Sequence, residues 1–157
     1  MNEYTINIEL PPYLRQWLVY TFGGEPVVFP KASTERRIME VGLMLTPHNA
    51  IPDIQTETSV AIAIPCFRYK PPKDYHYLPK AAKEELVKCI RNRFVIQLWE
   101  DLHRWGYIGV RHDNLFWSWM LAHGIEGNET NWNVVAKTYQ RQHINFLARQ
   151  RRKKKKK

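Results

Sequence analysis

The sequence predicts an α+β fold: a small N-terminal lobe of short strands and helices, then an all-helical part ending in a long basic helix. Three observations carry this. Period-two alternation of apolar and polar residues is confined to the chain before Phe67. From Lys80 onward, apolar residues recur every three and four positions instead. Between them lies Arg68-Tyr-Lys-Pro-Pro-Lys-Asp-Tyr-His-Tyr-Leu-Pro79, whose prolines exclude a helix and favour an extended strap. The expected organisation is a lobe over 1–66, a Pro-rich strap over 67–79, a helical domain over 80–150 and a basic tail over 151–157.

In the lobe, Tyr4, Ile6, Ile8 and Leu10 alternate with Thr5, Asn7 and Glu9, the pattern of a half-buried strand. Pro11-Pro12 stops it, and Pro12 can open a helix at its first turn. That helix runs from Tyr13 to Phe22, with Leu14, Trp17, Leu18 and Tyr20 to Phe22 as apolar surface, and Gly23-Gly24 ends it. Val27-Val28-Phe29 reads as a short strand. Ser33 or Thr34 can cap a second helix to about Leu45, with Ile38, Val41 and Leu45 on its buried side and Pro47 beyond its end. Thr58 to Ile64 is the last strand, with Val60, Ile62 and Ile64 on one face.

Lys80 to about Trp105 is the longest helix. Leu86, Ile90, Phe94, Leu98 and Leu102 form an i+4 row, widened by Cys89, Val95, Trp99 and Trp105. Phe94, Leu98, Trp99 and Trp119 are expected in the core. Glu84–Lys88 and Glu100–Arg104 are spaced as i,i+4 ion pairs. Gly106 and Gly109 break the helix. His112 to His123 is the next helix, and Gly124-Ile-Glu-Gly-Asn128 is the turn after it.

The last helix carries the charge. The 157-residue chain has 24 Lys and Arg against 15 Asp and Glu, a net of +9. Ten of the cations lie after Thr130, where there is no acid at all: Lys137, Arg141, Arg149, Arg151, Arg152 and Lys153 to Lys157. The rest of the chain is therefore nearly neutral, at 14 cations against 15 acids. Trp132, Val135, Ala136, Tyr139, His143, Phe146 and Leu147 form the apolar face, and Thr130 is the expected N-cap.

This constellation points to nucleic acid. A helix, a short turn and a second, basic helix make a helix-turn-helix-like pair. Gln140, Arg141 and Asn145 are the side-chain types that read base edges. Lys137, Arg149, Arg151, Arg152, Lys153, Lys154, Lys155, Lys156 and Lys157 suit phosphates. The expected function is a nucleic-acid-binding accessory or regulatory protein, with DNA favoured over RNA. A protein-interaction adaptor using Phe116, Trp117 and Trp119 is the second reading, and RNA binding the third.

Other chemistry has little support. The six histidines include no His-Glu-x-x-His, and Cys66 and Cys89 form no CxxC, so no metal site is expected. Gly23-Gly24-Glu-Pro lacks the lysine of a phosphate-cradling loop, and no Gly-x-Ser-x-Gly elbow occurs. Glu100-Asp101 and His112-Asp113 could supply acid–base groups but look like helical-surface charges. No enzyme activity and no cofactor are expected. No apolar run long enough to span a membrane and no signal-peptide pattern is present; the two cysteines fit reduced thiols in a cytoplasm, and nothing in the sequence demands or forbids a bridge between them.

Two resemblances accompany these residues. Trp132-Asn-Val-Val-Ala-Lys-Thr-Tyr139, after a helix ending in His123-Gly124, resembles the second helix of a Myb or SANT repeat. That likeness implies a recognition helix over Gln140 to Arg152. No turn residue separates Tyr139 from Gln140, however, and the repeat's regular tryptophan spacing is absent. Cys89-Ile-Arg-Asn-Arg-Phe94, Leu98-Trp-Glu-Asp-Leu-His103, Asn131-Trp-Asn133 and Tyr139-Gln-Arg141 are similar to uncharacterised proteins of phages and mobile elements of gut bacteria. That likeness implies a small DNA-associated accessory protein.

Overall fold

The computed structural model describes residues 4–106 and 112–156. The Trp105 side chain, Gly109, the His112 and Asp113 side chains, and Lys157 were singled out in the sequence but lie outside what is described. The chain forms two compact units, residues 1–92 and 93–157. The change of pattern in the sequence falls at Lys80, whereas the units divide inside the long helix.

In the first unit, strands β1 (Thr5–Glu9) and β2 (Ser59–Ala63) pair antiparallel, with Ile6 opposite Ile62 and Ile8 opposite Val60. Helix α1 (Pro12–Thr21) has proline in its first turn and buries Leu14, Trp17 and Leu18. It ends in a Schellman motif. The Gly23 amide donates to the Tyr20 carbonyl and the Gly24 amide to that of Val19. Gly23 takes a φ of +81° that a Cβ would penalise. The strand expected at Val27–Phe29 shrinks to one bridge, Val27 with Ile62, on the free edge of β2. Pro26 and Pro30 leave little backbone there to extend the ladder. Ser59 and Ala63 are buried too, so β2 is covered on both faces.

Helix α2 (Thr34–Gly42) is capped by Ser33, whose hydroxyl accepts from the Arg36 amide. Its buried face differs from the expected one. Glu35 and Met39 are buried, Ile38 is half-buried, and Val41 and Leu45 are 76 % and 62 % exposed. The reason is Gly42. It lies one turn beyond Met39 and close against Leu78 and Ala82, which rotates Val41 out of the contact. The Pro-rich strap is packed rather than loose. Phe67 and Leu78 are buried, Met44 bridges Tyr77, and the Lys70 ammonium donates to the carbonyls of Glu40, Val41 and Leu43 at the end of α2.

Helix α3 (Lys80–Gly106) places Leu86, Ile90, Phe94, Leu98 and Leu102 in the core, none more than 2 % exposed. Of the two expected ion pairs on it, neither forms. Lys88 instead meets Glu85, at 3.6 Å with both groups mostly exposed, a contact of little energetic weight. In the second unit, α4 (His112–Ala122) and α5 (Glu129–Lys155) follow, so the described chain after Lys80 is helical wherever it is regular. Phe94 meets Trp119 edge to face, and Phe116 does the same with Trp132. Trp99 was expected in the core but is only half-buried, because it lies at the flank where α3 meets α5. Among the described residues, no helix is long and apolar enough to cross a membrane.

Candidate nucleic-acid interface

Helix α5 begins two residues earlier than a Thr130 cap would set it. Asn128 is the N-cap, with extended backbone and a side-chain oxygen that accepts from the Asn131 amide at 2.8 Å. Both residue types can cap, and Asn128 wins because the turn delivers it in the extended conformation that a cap requires. Asn131 is buried and donates through Nδ2 to the Glu126 carbonyl. Val135, Ala136 and Tyr139 complete the buried stripe, with Trp132, His143 and Phe146 half-buried beside it. Leu147 was placed on this stripe by its spacing but is 41 % exposed. Phe146, one position earlier, still packs against Trp99, and Leu147 lies about 100° further around the axis.

The helix is continuous through Tyr139 and Gln140, so no separate recognition helix starts there. Lys137, Gln140, Arg141, Asn145, Arg149, Arg151, Arg152, Lys153, Lys154, Lys155 and Lys156 are all exposed. Among the described residues, none of these cations is held in an ion pair. Lys137, Arg141, Asn145 and Arg149 stand four residues apart, and each step of four advances the position by about 40° around the axis. The row therefore starts opposite the buried stripe and has wound to its flank by Arg149. Glu129 lies in the first turn and Arg152 to Lys155 in the last, the charge arrangement that the helix dipole favours.

At that flank lies a cleft of about 340 Å3 between α3 and α5. The sequence offered no sign of it, because Trp99 and Phe146 at core spacing look like buried packing residues. Their rings lie 5.6 Å apart and tilted by 46°. His103 stacks on Trp99 at 4.4 Å.

The other candidates fall elsewhere. Phe116 and Trp119 are buried, and of that aromatic trio only Trp117 reaches the surface, stacked on Trp132. Asp101 accepts from Trp119 Nε1 at 2.9 Å, and the imidazole of His123 donates from Nδ1 to the Trp119 carbonyl at 2.7 Å. These groups close the end of α4. Cys66 and Cys89 form no disulfide. Among the described residues, no group of three His, Cys, Asp or Glu side chains could hold a metal ion.

No family model matches this chain, and no curated protein or solved structure is similar to it.

Proposed function

We propose that this chain binds nucleic acid, DNA in preference to RNA, as a cytoplasmic accessory or regulatory protein, with α5 as the contacting element. One observation carries the reading. Every described candidate residue from Lys137 to Lys156 is exposed on a single helix whose inner side is packed and which holds no acid after Glu129. Such a surface attracts a polyanion and presents side chains for it to meet. Gln140, Arg141 and Asn145 stand on the ordered, anchored part of the helix, where amide and guanidinium groups can address base edges. The all-cationic end suits phosphates, whose contacts position a nucleic acid without reading it. The adaptor reading keeps only Trp117 of its three aromatic residues.

The test is a filter-binding titration with duplex DNA, single-stranded DNA and RNA across a salt series. The proposal expects an affinity that falls linearly in log–log form as salt rises, with DNA bound more tightly than RNA. Binding to none of them, or binding indifferent to salt, would sink it.

A further inference from the structure

The cleft between α3 and α5 has the construction of a nucleobase slot, and we infer that it takes one unstacked base, guanine by preference, from a single strand whose phosphates α5 holds. This inference rests on the proposed nucleic-acid binding and specifies what part of the nucleic acid is read.

Four features support it. The floor is aromatic: Trp99 and Phe146 are half-buried and line the cleft, His103 packs against both rings at 4.4 and 4.7 Å, and the ring surface left at the cleft is what a base would stack on. Gln142 and Asn145 stand on the α5 rim, one helical step apart, and bring amides that donate and accept in one plane. Arg149 stands one turn further on the same rim, an exposed cation placed for the phosphate next to a base in the slot. Glu100 stands on the α3 rim. Its carboxylate makes no hydrogen bond or ion pair among the described residues, although it was spaced to pair with Arg104. A carboxylate has two acceptor oxygens side by side, and guanine alone among the common bases offers two adjacent N–H donors, at N1 and N2. Thymine presents a single ring N–H there, and cytosine and adenine a single exocyclic amine. The volume, about 340 Å3, sits at the lower end of the range for small-molecule sites and suits a single planar group.

A base inside a duplex keeps its faces stacked and its pairing edge occupied, so the slot favours single strands. The same geometry assigns separate tasks along one helix: Lys137, Arg149 and the cationic end hold the backbone, while Gln142 and Asn145 at the flank hold a base. An acid on an otherwise cationic interface is unfavourable for phosphate binding, and guanine recognition gives Glu100 a compensating partner.

The test uses the full chain and short oligothymidylates that carry one central guanine, thymine or abasic site, with the guanine strand also presented as a duplex. Binding is read by fluorescence anisotropy at one salt concentration. The guanine strand should bind about tenfold more tightly than the abasic one, since a stacked base contributes on that scale. It should also bind more tightly than its duplex. Glu100→Gln should bring guanine down to the thymine affinity without weakening the abasic strand. Asn145→Ala should weaken guanine and thymine strands alike. Both substitutions are on exposed side chains, and unchanged circular dichroism will certify the fold. If abasic and guanine strands bind equally with normal salt sensitivity, the slot is wrong and nucleic-acid binding stands. A preference for duplex, or a guanine preference untouched by Glu100→Gln, would also overturn the slot. If no strand binds, the proposed function falls, and the slot with it.

Discussion

Gly42 of α2 faces Ala82 of α3 so closely that a Cβ on Gly42 would stand 2.7 Å from that of Ala82 and 3.1 Å from Leu78 Cδ1. The two helices meet where Gly42 has no room for a side chain. Ordinarily, replacing a helical glycine by alanine gains up to about 1 kcal/mol. Here the overlap should win. We predict that Gly42→Ala destabilises the protein by roughly 1–3 kcal/mol, the usual cost of overpacking. Adding Ala82→Gly should recover part of the loss. Urea denaturation of the two variants checks this, and a stabilised Gly42→Ala would show that the helices can part without cost.

Lys70 reaches the carbonyls of Glu40 at 2.6 Å and Leu43 at 2.8 Å. It satisfies acceptors that the end of α2 leaves without helical partners, and its charge suits the dipole there. Lys70→Met keeps the stem and removes the donors. It should cost roughly 1–2 kcal/mol, read as a lower denaturation midpoint with an unchanged slope.

Two tryptophans on neighbouring helices should respond differently. Trp119 is 6 % exposed and hydrogen-bonded to Asp101. Trp119→Ala should cost roughly 3–5 kcal/mol, and Trp119→Phe about 1 kcal/mol for the lost bond. Trp99→Ala should cost less than Trp119→Ala, because half-buried surface contributes less on truncation. Equilibrium unfolding of the three proteins fixes the order, and a larger loss at Trp99 would place it at the centre of the core.

Truncation after Ala148 removes eight cations, three arginines and five lysines. The fold should survive, since residues 149–156 are all exposed and Val135, Ala136 and Tyr139 still anchor α5. If about half of those charges engage phosphates, the log–log salt slope should flatten by roughly 3–5. Affinity for one DNA at several salt concentrations, measured on both lengths, tests it. Parallel slopes would mean the end of α5 does not touch the ligand.

The Glu9 carboxylate accepts hydrogen bonds from the Thr58 and Thr56 hydroxyls, Thr58 having the larger effect, and together they hold it below the usual carboxylate range. A carboxyl depressed in the folded state contributes stability above its unfolded-state value and loses it as pH falls through the folded one. Wild type should therefore melt above Glu9→Gln near neutral pH, and the two should converge below about pH 4. Curves that stay parallel through acid pH would remove Glu9 from this role.

Much of this fold is legible in the residues because hydrophobicity and period point the same way. The row from Leu86 to Leu102 in α3 and the alternation of Ile6 and Ile8 in β1 are such cases. Legibility fails where packing depends on something other than apolar side chains. In α2, Ile38, Val41 and Leu45 outrank Glu35 and Gly42 on any hydrophobicity scale, yet the face is set by the glycine's close approach. Thr130 and Asn128 are equally good caps by type, and only the backbone of the turn chooses. At the candidate interface, the cations are evident from composition alone. The cleft is not, because residue type does not distinguish a half-covered Trp99 from a core tryptophan.

The cationic end of α5 also opposes its own helix. Arg149 and Lys153, Arg151 and Lys155, and Arg152 and Lys156 stand at i,i+4 with no acid between them. Each such like-charge pair disfavours the helix by roughly 0.2–0.5 kcal/mol. The dipole acts in the opposite sense on Arg152 to Lys155 in the last turn and is of at least comparable size. A bound polyanion would cancel the repulsion, so the last turns should tighten when occupied and fray when bare. Ligand binding and coil-to-helix ordering are then one equilibrium. The terminus would act as its own reporter, its helicity tracking whether an anionic partner is in place.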